Sequence, residues 1–156
     1  MSLSNNDILR RFRYALNIND GQLSQAFSLA GQAQTATTIA ALLKHEGDAE
    51  FVECSDQQLA AFLDGFIIQK RGPRPDAPPS PVNRMNNNDI LKKIRVALQL
   101  RDDDLVAIMA RSATPVGASE ISALFRQKNH PKFKLCGDQF LRNFLTGLET
   151  WRPGNS

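Results

Sequence analysis

The chain has 156 residues, a formal net charge of +3 at pH 7, 42% hydrophobic residues and 22% charged ones. That balance argues against disorder, and no apolar run approaches the roughly 20 residues that a bilayer-spanning helix needs. Two cysteines are too few for a disulfide framework, and MSLSNNDILRR lacks the basic-then-apolar pattern of an export signal, so a cytoplasmic, reducing setting is expected.

The first predicted helix opens in NNDILRRFRYAL. Asn5 or Asn6 can accept bonds from the orphan N–H groups, Asp7 puts negative charge in the first turn, and Ile8, Leu9, Phe12, Ala15 and Leu16 share one face of a 3.6-residue period. A second helix starts near Asp20. A third follows TATTIAALLK, with Thr37 as its candidate cap. The fourth runs through DQQLAAFLDGFIIQ, where Leu59, Phe62, Leu63 and Phe66 are spaced i, i+3, i+4, i+7.

The chain then starts again. NNDILKKIRVAL at Asn87 repeats the opening stretch, with Ile90, Leu91, Ile94, Ala97 and Leu98 on the apolar face. A helix near Asp102 follows in RDDDLVAIMAR, then one in GASEISALFRQ with Ser119 as candidate cap. With the cap at Ser119, Glu120 stands one residue past it, which is too early for a capping box. The last helix lies in DQFLRNFLTGLETW, with Leu141, Phe144, Leu145 and Leu148 on its stripe. A constant shift of 82 positions aligns residues 5–72 with 87–154 without a gap and yields 23 identities over 68 positions. Chance at ordinary composition would give about four. No run shows the alternation of a strand.

The expected architecture is therefore all-α: two tandem pseudo-equivalent four-helix repeats, 1–72 and 85–156, packed together so that each shields the other's marginal core. Between them, the segment 73–84 overlaps the proline-rich stretch GPRPDAPPSPVN, whose five prolines read as an extended, semi-rigid linker. NNNDILKKIRVAL and CGDQFLRNFLTGL resemble the bacterial YehS-type family, whose members carry this unit twice. The resemblance covers nearly the whole chain apart from the linker. It implies a duplicated all-α protein and brings no catalytic or binding residue with it.

Charge is distributed unevenly. Residues 1–71 hold six Lys/Arg against eight Asp/Glu, and residues 85–156 hold eleven against seven. The basic excess gathers in FRQKNHPKFK, which carries Arg126, Lys128, His130, Lys132 and Lys134 with Phe125 and Phe133 interleaved; Lys92, Lys93 and Arg95 add charge from another helix. Cations mixed with aromatics suit phosphate contact and base stacking. Against this, Phe133 matches Phe51 and reads as core, and the first repeat's counterpart LKHEGDAEFVE is acidic.

Catalytic signals are weak. His45 and His130 do not align with each other, no glycine-rich phosphate loop is present, and no Cys/His spacing suits zinc. No catalytic residue, metal or cofactor is expected. Cys54 and Cys136 precede the fourth helix of each repeat, where a thiol can be activated by the helix N-terminus or, more simply, fill a half-buried position. Arg13 and Arg95 lie at the rim of the apolar face, and pairs with Asp56 and Asp138 are expected as structural supports. The function expected is non-enzymatic macromolecule binding or an adaptor role, with a protein partner ahead of nucleic acid, no membrane, and a homo-oligomer as a further option.

Overall fold

The computed structural model describes residues 2–73, 84–112 and 114–153. Most of the proline-rich linker, 74–83, lies outside the described residues. The described residues form eight helices in order: α1 Asn5–Leu16, α2 Asp20–Leu29, α3 Ala36–Leu42, α4 Asp56–Arg71, α5 Asn87–Leu98, α6 Asp102–Ala110, α7 Ala118–Leu124 and α8 Asp138–Leu148. Among the described residues there is no strand. Beyond the first two residues the chain divides into two compact units, Leu3–Met85 and Asn86–Ser156.

Helix starts are set by reciprocal caps. Ser4 Oγ accepts from Asp7 N at 3.1 Å while Asp7 Oδ2 accepts from Ser4 N at 3.2 Å. Asn86 and Asp89 do the same for α5, Asn19 and Gln22 for α2, and Ser55 and Gln58 for α4. Each arrangement satisfies two donors that the helix leaves orphaned. The caps therefore fall one residue earlier than Asn5, and Asn5 and Asn6 are released for another task.

The third helix of each repeat also starts earlier than expected. Thr35, not Thr37, caps α3, its hydroxyl accepting from Thr38 N at 3.1 Å. Gly117, not Ser119, precedes α7. Glu120 is consequently the third helical residue, and its Oε1 reaches back to Gly117 N at 3.4 Å. Glycine offers no side chain for the other half of a capping box, so only the return bond forms.

In the first unit α4 packs along α2, with α1 against α4 and α3 against α2. Phe12, Phe27, Phe62 and Phe66 form its centre; Phe12 meets Phe66 edge-on, with ring centroids 5.1 Å apart, and Phe62 at 6.0 Å. Burying each such ring is worth about 1.5–3 kcal/mol before entropy is counted, and edge-to-face pairing adds roughly 1 kcal/mol.

The second unit repeats the arrangement, α8 along α6, with a mainly aliphatic centre of Ile94, Met109, Phe144 and Leu148. Its last helix is shorter than α4. The chain turns at Glu149, Trp151 N donates to the Gly147 carbonyl at 3.1 Å, and the Trp151 side chain is left 5% exposed.

One glycine per unit sets how closely the paired helices approach. A Cβ on Gly65 would lie 1.7 Å from the carbonyl oxygen of Ala26 on α2, and one on Gly147 would lie 2.1 Å from that of Ile108 on α6. Backbone therefore rests directly on backbone at both crossings. The matched pair Gly65 and Gly147 is the reason why the flanking aromatic and aliphatic side chains can interlock.

Candidate interaction surface

In each repeat the segment between the third and fourth helices is an irregular loop held by an asparagine. Asn6 is 1% exposed. Its Nδ2 donates to the carbonyls of Leu42 and Val52, both at 2.9 Å, and its Oδ1 accepts from Cys54 N at 2.9 Å. Asn88 repeats the set: Nδ2 donates to Leu124 and Lys134 carbonyls at 3.0 Å, and Oδ1 accepts from Cys136 N at 2.8 Å.

The neighbouring asparagines extend the grip. Asn5 Nδ2 donates to Cys54 O and to Asp56 Oδ1, and Asn87 Nδ2 donates to Cys136 O and to Asp138 Oδ1. The Asn-Asn pair thus fastens the end of one helix, the loop and the start of the next. These buried asparagines escape a reading by periodicity, because an asparagine at a helix start resembles a cap. Their repetition at a shift of 82 was the available signal.

Inside this frame the loops make the same turns. Asp48 N donates to His45 O at 3.0 Å, and His130 N donates to Gln127 O at 2.8 Å. Phe51 and Phe133 each donate to the carbonyl three residues back, and Val52 and Lys134 donate to the carbonyls of Ala41 and Ala123. Asp48 Oδ1 accepts from Glu50 N at 2.9 Å, while His130 Nδ1 accepts from Lys132 N at 3.0 Å. An accepting Nδ1 leaves the ring proton of neutral His130 on Nε2. Phe133 is half-buried, so it is neither a core residue nor a free stacking surface.

Arg126, Lys128, His130, Lys132 and Lys134 are all exposed on the second loop, as is Lys92 on α5; Lys93 is half-buried. Leu135, beside them, is 66% exposed. The Arg95 guanidinium lies over the Phe125 ring, 4.4 Å from its centroid, and covers the aromatic face that was a candidate for base stacking.

The expected arginine partners are corrected. Arg13 pairs with Asp20 at 2.6 Å rather than with Asp56, and Arg95 with Asp102 at 3.1 Å rather than with Asp138. Asp56 and Asp138 are engaged by Asn5 and Asn87. The cause is local. Both arginines stand in the last turn of their helix, the chain reverses through a left-handed residue, Asn17 or Gln99 (φ 55° in each), and the next helix begins with its aspartate within reach. Arg13 Nε also donates to Ile18 O at 2.9 Å, which makes the pair a brace across the α1–α2 turn. Being half-exposed, such pairs add only about 0–1 kcal/mol.

Cys54 and Cys136 are buried, and burial together with the carboxylates of Asp56 and Asp138 pushes each thiol up to about 12. The helix N-terminus does not activate them. Both are expected to resist thiol-specific reagents in the folded protein and to react quickly once denaturant is added; equal rates in the two states would contradict this environment. The unfolded value is near 9 and the folded value is higher, so the contribution to stability is complete below pH 9 and is lost as pH rises from there towards 12.

Among the described residues no group of three or more His, Cys, Asp or Glu is placed to hold a metal ion, and no helix is long and apolar enough to cross a membrane. A model of the family described as a protein of unknown function, DUF1456, matches residues 5–72 and again 87–154. The chain belongs to the DUF1456 family. It is similar to the uncharacterized protein YehS of Escherichia coli (strain K12), with 44% identity over 144 residues that cover 92% of each chain. No solved structure matches. Each DUF1456 segment begins on the asparagine pair, Asn5-Asn6 or Asn87-Asn88, so the loop-holding asparagines fall inside both matched units.

Proposed function

We propose that this DUF1456 protein is a non-enzymatic binding module that uses the α7–α8 loop to hold an acidic macromolecular surface, a protein ahead of a nucleic acid. One observation carries the reading: Arg126, Lys128, Lys132 and Lys134 are exposed on a loop that Asn88 fastens at both ends, with no acidic residue between them. A loop already ordered loses little entropy on binding.

A protein partner is favoured because the loop's two rings are partly covered and an exposed leucine is present. Phe125 lies under Arg95 and Phe133 is half-buried, so neither ring of the loop is fully open to bases, whereas Leu135 offers apolar contact beside the cations. Helix α7 has only seven residues and exposes Glu120, a poor surface for a major groove. Two free, buried cysteines fit a reducing, cytoplasmic setting.

The test is retention by immobilised polyglutamate, with mixed DNA and RNA in parallel, at low and at physiological salt. Polyglutamate is expected to bind and to lose at least roughly tenfold in affinity when Lys128, Lys132 and Lys134 become glutamine. Nucleic acid held more tightly than polyglutamate at physiological salt would move the assignment to nucleic acid. No retention on any of these matrices at low salt would end the binding reading.

A further inference from the structure

The partner of the basic loop can be named from the chain itself. Under the shift of 82 positions, Glu46 corresponds to Lys128, Asp48 to His130 and Glu50 to Lys132. These are alternate positions on loops with the same backbone hydrogen bonds, and the charge is reversed or removed at each. Asp48 and His130, both exposed, share one task within their own loops, each accepting the N–H two residues ahead. The full reversal of charge falls on Glu46 and Glu50 against Lys128 and Lys132, all exposed. Each loop also carries a large exposed hydrophobic side chain, Val52 at 45% on the acidic loop and Leu135 at 66% on the basic one. Glu53 adds a further acid to the first surface.

We infer that the acidic α3–α4 loop of one copy seats on the basic α7–α8 loop of a second copy, joining chains head to tail. This rests on the binding reading above and supplies its partner. Both surfaces are pre-ordered by matching asparagines, Asn6 and Asn88, so the cost of immobilising loops is small on either side. Joining two different surfaces is a heterologous contact, which continues from copy to copy unless its rotation closes a ring. Charge supplies orientation and rate, and the contact weakens as salt screens it.

The full chain is followed by sedimentation velocity and light scattering across a range of concentrations. The average mass is expected to rise with concentration at low salt, and association to weaken at least roughly tenfold at high salt. Two charge-reversed variants then decide the matter. Glu46→Lys with Glu50→Lys removes the acidic loop and keeps the native basic one, and Lys128→Glu with Lys132→Glu does the opposite.

Each variant alone is expected to be monomeric. Mixed, they present opposite charge at the native pair of loops and at the swapped pair, and should associate with each other again. Circular dichroism checks that both fold, and the neutral pairs Glu46→Gln with Glu50→Gln and Lys128→Gln with Lys132→Gln replace the corresponding variant if it does not. A wild-type chain that stays monomeric at low salt, variants that self-associate as the wild type does, or a mixture that does not associate would each overturn the inference. A monomer that still binds polyglutamate through Lys128 and Lys132 removes this partner alone, whereas loss of polyglutamate binding as well removes the broader reading.

Discussion

Gly65→Ala is expected to cost the first repeat about 3 kcal/mol or more, enough to leave it largely unfolded. The added methyl would sit 1.7 Å from the Ala26 carbonyl oxygen and 2.4 Å from its carbon. Both atoms are backbone, so no rotamer change relieves the overlap. The α2 and α4 helices must move apart, and Phe27 and Phe62, whose rings lie 5.9 Å apart between them, lose their packing. A unit this small has only a few kcal/mol to lose. Gly147→Ala should act on the second repeat in the same way, at 2.1 Å from Ile108 O. Gly21→Ala is the control, since its methyl would meet only the Asn19 side chain at 3.4 Å. Urea unfolding followed by circular dichroism distinguishes the cases, and a Gly65→Ala protein as stable as wild type would show that the helices do not meet here.

Asn6→Ala is expected to cost about 3 kcal/mol, by orphaning the Leu42 and Val52 carbonyls and the Cys54 N–H in a site shielded from water. The more telling variant is Asn6→Asp. An ionised carboxylate there still accepts from Cys54 N, but it faces two carbonyl oxygens to which it cannot donate. Protonated, it recovers one donor. Its folded pKa must therefore rise above the unfolded value of about 3.9, so the stability of this variant should be greatest in acid and fall as pH climbs through the folded pKa. Chemical denaturation from pH 4 to pH 8 checks the sign, and a variant no less stable at pH 8 than at pH 4, relative to wild type, would contradict the assigned donors. Asn88→Asp should behave alike in the second repeat and, by loosening the α7–α8 loop, weaken polyglutamate binding without touching a lysine.

The helices themselves were legible because apolar spacing and duplication reinforce each other: a stripe such as Leu59, Phe62, Leu63 and Phe66 is convincing alone and more so when Leu141, Phe144, Leu145 and Leu148 repeat it. Less legible was whatever depends on which of several adjacent polar residues takes a task. Ser4, Asn5 and Asn6 can all cap a helix, and only three-dimensional packing shows that Ser4 does so while Asn5 and Asn6 turn to the loop. The arginine partners failed for a similar reason. Asp20 and Asp56 both recur in the second repeat, and the turn through Asn17 decides in favour of Asp20. Gly65 had a visible signal, a glycine inside a helical apolar stripe, between Leu63 and Phe66, matched by Gly147 between Leu145 and Leu148, whose meaning is a close backbone approach. At the candidate surface the cations were legible as charge. That they stand on a fastened loop, and that a loop of opposite sign makes the same turns, needed the hydrogen bonds.

The second unit's fold-back after α8 has an optical consequence. Trp151 is the chain's single tryptophan and the lone tyrosine, Tyr14, is exposed on α1. Indole emission therefore monitors the C-terminal half alone, while far-ultraviolet ellipticity averages both. Comparing the two signals in one denaturation would reveal whether the duplicated halves melt as a single cooperative body or in succession, without attaching any dye.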